Sequence, residues 1–260
     1  MKHSYPRLFL LFLLLLSVPA FSQGGFGLPP GFDLKTFQKN EEQAMYFLQY
    51  DSAWQFVQAF DHLPANKDYI CYSDKRGWKV VAGTIDSSGF KSDAVFYTVD
   101  NKHVVTVARK KFDTVQVTAM AHAYYNAGKA LTKLNIKATG GWHKFVRINA
   151  DQTITVWAFP ETDASGNVWY GPECAWYFSA NGMQLSTSKI VNKAPQMAGK
   201  SAASLNMNCP TDKMPTVGTI WLAHKNKKSY NEINISYKTG TSTLRFNEAE
   251  KTYAWEHVAN

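Results

Sequence analysis

The signatures missing from this chain narrow its chemistry first. None of the patterns G-x-S-x-G, Walker A, G-x-G-x-x-G or H-E-x-x-H occurs, so the serine elbow, the phosphate-cradling loop, the dinucleotide turn and the two-histidine zinc helix have no sequence counterpart. Beyond the first residues no apolar run approaches the roughly 20 that a spanning helix requires, and no membrane span is expected in the mature chain. Charge is sparse, at 18 % of residues against 45 % hydrophobic, which fits a folded globule rather than a disordered chain. The basic clusters "ARKKF" around Arg109 to Lys111 and "HKNKK" at His224 to Lys228 lack the interleaved aromatics of a single-strand platform, so no nucleic-acid partner is expected. No histidine, cysteine or carboxylate spacing suggests a metal or another cofactor, and none is expected.

Cysteine is scarce as well. With three in the chain, not all can pair within it. Cys71 lies in the apolar run "YICY" and reads as a small buried hydrophobe. Cys174 and Cys209 form the expected disulfide, which would stabilise by about 4 kcal/mol in the chain-entropy model.

The first 22 residues favour an oxidising compartment. Lys2, His3 and Arg7 form a basic start, Leu8 to Val18 a short apolar run, and Ala20 and Ser22 supply small residues before Gln23. This reads as a secretory signal peptide cleaved after Ser22, with a secreted or periplasmic destination. Loss of Lys2 and Arg7 lowers the formal charge from +8 to +6; this moderate excess suits acidic lipids and glycans better than nucleic acid.

The pattern along the chain predicts an α+β fold with antiparallel sheets, built as two helix-plus-meander halves with flanking helices. A signal peptide at 1–22, an N-terminal region at 23–111 and a C-terminal region at 112–260 are the expected divisions. Residues 34–62 read as helical, with Asp51 as an N-cap before Trp54. The runs "DYICYS", "WKVVAGTID", "DAVFYTVD" and "HVVTVAR" follow as a meander. A second helix is expected from Thr114 to Leu134 behind Asp113 and Gln116. Further strands lead to a short helix near Pro215, and "EINISYK" and "STLRFNE" close as a hairpin.

The stretch "SLNMNCPTDKMPTVGTI", 204–220, resembles in spacing the metal motif of the JAB/MPN metalloprotease superfamily, H-x-H-P-x(6)-S-x-x-D. The resemblance covers 112–250. It puts Asn206 and Asn208 in the histidine places, Thr216 in the serine place and Thr219 in the aspartate place, with Cys209 where the proline belongs. Neutral amides and hydroxyls do not offset a divalent charge, so the resemblance implies a catalytically silent member whose loop remains free to bind. A second set, "STSK" at 186–189, "SLN" at 204–206 and "KTG" at 238–240, resembles the boxes of penicillin-binding serine acyltransferases. Here, however, "STSK" falls in a strand-like run and "KTGT" in a hairpin turn.

Expected binding residues are therefore Asn206, Asn208, Thr216 and Thr219, with Trp169 and Trp176 from the aromatic cluster that also holds Trp142, Trp157 and Tyr177. No catalytic residue is assigned. The expected function is an exported, non-catalytic protein that binds a protein or an envelope glycan. The alternative is a secreted hydrolase whose site assembles from Glu173, His143 and His224.

Overall fold

The computed structural model describes residues 27–63, 67–91, 93–108, 113–136, 138, 140–192, 194–209 and 212–260. The signal-peptide expectation lies outside the described residues. In chain order the elements are α1 (Leu34–Asp61), β1 (Asp68–Asp74), β2 (Gly77–Gly83), β3 (Ile85–Asp86), β4 (Gly89–Phe90), β5 (Val95–Asp100), β6 (Val105–Val107) and α2 (Thr114–Lys133). Then come β7 (Trp142–Ile148), β8 (Ile154–Pro160), β9 (Trp169–Tyr170), β10 (Glu173–Phe178), β11 (Leu185–Val191), β12 (Gln196–Met197), β13 (Gly199–Lys200) and β14 (Ser204–Cys209). Last are α3 (Val217–Asn226), β15 (Glu232–Tyr237), β16 (Gly240–Asn247) and β17 (Thr252–Ala259). The fold is α+β, as the pattern predicts.

Two four-stranded sheets, ordered β1-β2-β5-β6 and β11-β10-β8-β7, and one five-stranded sheet, β13-β14-β15-β16-β17, carry the structure. All their ladders are antiparallel except β14 with β15, which run parallel. A parallel pair needs a crossover rather than a hairpin, and α3 supplies it. This local departure from a wholly antiparallel expectation gives α3 its position beneath the sheet.

Period-two alternation places the layers. Ile70, Tyr72, Val81 and Phe96 of the first sheet meet α2 together with Val146, Val156, Cys174 and Trp176 of the second. The opposite faces, through Cys71, Val80, Tyr97, Phe145 and Phe159, pack on α1 and α3, and the inner face of the five-stranded sheet closes over those helices with Leu205, Met207, Ile233, Ile235 and Leu244. Both cores draw residues from both sides of residue 112. The central strands of the first two sheets are covered on both faces, with β6 and β11 exposed at their edges, whereas the five-stranded sheet keeps one face toward solvent.

Caps fix the helices. Asp33 accepts from the amides of Lys35 and Thr36 at 3.0 and 3.3 Å to open α1, and Asp113 does the same for Val115 and Gln116 at 3.0 and 3.2 Å in α2. Such caps contribute about 1 kcal/mol each. Asp51 is not a cap: α1 runs through it without a break and buries it, because its neighbours Tyr50, Ala53, Trp54 and Val57 keep the helical apolar stripe going.

Candidate functional site

The α3 helix passes three polar clusters in turn, each built from residues distant in sequence. At its first turn, Thr216 and Thr219 form a reciprocal capping box, with the Thr216 amide donating to Thr219 Oγ1 at 2.9 Å and the Thr219 amide to Thr216 Oγ1 at 3.5 Å. The Thr216 hydroxyl also donates to the carboxyl of Glu173, which sits buried under the helix. Gly218 makes room for it, since a Cβ at that position would stand 2.8 Å from the Glu173 carboxyl. Burial pushes the Glu173 carboxyl up to about 7, opposed in part by Thr216 and the Gly218 amide. Nearby Asp212 is also raised by burial, against the bonds it accepts from Asn192 at 2.7 Å and from the Cys209 thiol.

Midway along α3, Trp221 packs against His143 with ring centroids 5.6 Å apart. The imidazole is held at both nitrogens: Nε2 lies 2.6 Å from Asp51 Oδ1 and Nδ1 2.8 Å from Glu161 Oε1, with the Tyr69 hydroxyl 3.1 Å from Nε2. Burial alone would lower the His143 pKa, but the Asp51 charge and the bonds to both carboxylates outweigh it and raise it. Glu161 is lowered, chiefly by its bond to His143. An imidazole with a carboxylate on each ring nitrogen has no free nitrogen with which to accept a proton from a substrate.

At the far end of α3, His224 Nε2 lies 3.1 Å from Glu41 Oε1, which also accepts from Trp255 Nε1 at 2.8 Å. Gly218, beside Glu173, and His224 are separated along the helix by about 9 Å of rise. Glu173, His143 and His224 therefore each find a separate partner, and the structure does not bring them together. Among the described residues no three histidine, cysteine, aspartate or glutamate side chains group as a metal cage.

The asparagines expected to join Thr216 and Thr219 point elsewhere. In β14, Leu205, Met207 and Cys209 face the core, so Asn206 and Asn208 stand exposed on the outer face. The spaced motif is thus divided by the sheet, with its threonines at the inner helix and its asparagines outside. Other expectations also need correction. Trp176 is buried at 2 % exposure against α2 and presents no surface to a partner, because β10 is covered on both faces. Trp169 is half-buried, its Nε1 donating to Asp163 Oδ2 at 2.9 Å. Cys174 and Cys209 are free thiols: Cys174 belongs to the core against α2 and Cys209 to the core against α1 and α3.

Among the described residues, the outer face of the five-stranded sheet is the extended surface on which expected binding residues acquire like neighbours. Register aligns Asn206, Asn234, Thr243 and Glu256 in one row and Asn208, Ser236 and Thr241 in the next. Asn234 Nδ2 donates to Asn206 Oδ1 at 3.0 Å, Thr243 Oγ1 donates to Asn234 Oδ1 at 2.8 Å, and the Ser236 and Thr241 hydroxyls lie 3.2 Å apart. Neighbouring groups repeat at about 4.8 Å across strands and about 7 Å along them. A third row, Ser204, Glu232 and Arg245, ends the neutral field, with Arg245 paired to Glu232 at 3.0 Å and to Glu256 at 3.5 Å. Three participants, Asn234, Ser236 and Thr243, could have been found from the alternation in "EINISYK" and "STLRFNE". Asp51, Glu41 and Glu161 carry no local signal of their pairing.

No protein-family model, curated protein or solved structure matches the chain.

Proposed function

We propose that this is an exported, non-catalytic binding protein whose outer sheet face takes a neutral, hydroxyl-rich glycan of the cell envelope. The observation that carries the reading is the hydrogen-bonded row Asn206–Asn234–Thr243 beside Asn208–Ser236–Thr241. Asparagine is depleted in strands, yet three stand on adjacent central strands where the fold asks only for a polar residue. Asn206 and Asn234 gain cross-strand hydrogen bonds there, but Asn208 breaks the local preference with no such gain, which points to function. Amides and hydroxyls both donate and accept, which matches sugar hydroxyls and acetamido groups, and the one carboxylate in the two rows, Glu256, is paired with Arg245 at 3.5 Å. The Asn208 side chain makes no hydrogen bond among the described residues, leaving its full capacity for a ligand. The absence of catalysis in the reading is supported by the clasped imidazole of His143 and by the dispersal of Glu173, His143 and His224.

The test is calorimetric titration with a neutral N-acetylglucosamine tetramer. Saturable binding weakened at least tenfold in the Asn206→Ala/Asn234→Ala variant is expected. Binding that the variant leaves unchanged, or no binding beside tight capture of an envelope protein, would overturn the glycan assignment.

A further inference from the structure

A second binding surface lies beyond the C-terminal end of α3, where a hollow of about 450 Å³ is lined by Lys227, Lys228, Tyr230, Arg245, Phe246 and Tyr253 among others. Its charges do not cancel. Arg245 is already paired with Glu232 and Glu256, and Glu248 with Lys251 at 2.8 Å. Lys227 and Lys228 have no carboxylate within ion-pair distance among the described residues. The Lys227 ammonium instead sits 4.8 Å over the ring of Tyr253, whose hydroxyl donates to the Lys227 carbonyl at 2.8 Å. The ring thus fixes both the backbone and the charged head of this residue. Burial and the neighbouring Lys228 charge lower the Lys227 pKa, a penalty that an arriving anion would reverse.

Lysines near a helix C-terminus ordinarily complement the dipole and remain in solvent. Here one ammonium is held half-buried in a concavity whose walls include three half-buried rings, Tyr230, Phe246 and Tyr253. Phe246 and Tyr253 stand edge to face with centroids 5.2 Å apart, a stiff wall rather than a collapsed one. Unneutralised cations beside aromatic faces suit a ligand that has both an anionic group and an apolar ring face. We infer that this hollow binds the carboxylate-bearing ring of an acidic sugar, with Lys227 and Lys228 on the carboxylate and the aromatic wall against the sugar's C–H face. The hollow adjoins the Asn206 to Thr243 rows, since Glu232 lines it and accepts from Asn234 Nδ2 at 3.3 Å, but Lys227 and Lys228 take no part in those rows, so the lysine variants test this site alone.

The experiment titrates the purified protein with glucuronate, glucose and inorganic phosphate at low salt, then repeats the series on Lys227→Gln/Lys228→Gln. Glucuronate is expected to bind at least tenfold more tightly than glucose, to weaken at least tenfold in the variant, and to weaken as salt is raised. The Lys228→Gln variant alone, altering an exposed side chain, is expected to fold as the parent does and to lose several-fold, which guards against a folding defect in the double variant. Equal binding of glucuronate and glucose, tighter binding of phosphate than of glucuronate, or affinity unchanged in the variants would overturn the assignment.

Discussion

The two faces of the five-stranded sheet solve opposite problems with similar polar residues. On the helices beneath the inner face and the strands packed on them, three ionisable side chains are matched to internal partners: His143 to Asp51 and Glu161, His224 to Glu41, Glu173 to Thr216. On the outer face, neutral amides and hydroxyls join one another in rows and retain unused capacity toward solvent. Burial explains the difference. A buried polar group left unpaired is costly, so inside the fold pairing is a condition of stability. An exposed amide has water as its alternative, and its identity is free to follow function.

The largest effect that would sharpen this contrast is on the inner side. Asp51→Ala leaves the His143 imidazole with one of its two carboxylates and should cost about 3–5 kcal/mol, measured by denaturant unfolding. Next is the Glu173 site. Because this carboxyl is raised from 4.5 to about 7 in the fold, the native state binds more protons than the unfolded chain between those values, and stability falls as pH rises through that window. The loss should be about 3 kcal/mol, and Glu173→Gln should remove it from a pH series of melts. Gly218→Ala, which drives a methyl into the Glu173 carboxyl, should cost about 1–3 kcal/mol. Smallest is the outer face: Asn206→Ala/Asn234→Ala should shift stability by less than about 0.5 kcal/mol per site while abolishing most glycan affinity. A large stability loss there would erase the distinction between the two faces.

Much of the fold is legible in the sequence. Helical spacing and Asp113 locate α2, the meander runs locate β1, β2, β5 and β6 but not the short β4 inside an expected turn, and Pro215 marks the approach to α3. Local pattern fails where the deciding contact is distant. Asp51 looks like an N-cap because aspartate often is one, but His143 on β7 supplies the partner that lets it lie inside α1. Alternation identifies Trp176 as facing one side of β10 without revealing that both sides are covered. The spaced motif of 204–220 reads as one site in a line, yet Leu205, Met207 and Cys209 turn inward and carry Asn206 and Asn208 away from Thr216 and Thr219. The parallel pairing of β14 and β15 has no local signature either, since it depends on how α3 packs.

Side-chain amide resonances of Asn206, Asn208 and Asn234 report most directly on the outer face. Titrating isotopically labelled protein with the N-acetylglucosamine tetramer should shift these three signals together in a saturable manner and leave the His143 ring signals in place. Unmoved asparagine amides at saturating saccharide would contradict the account.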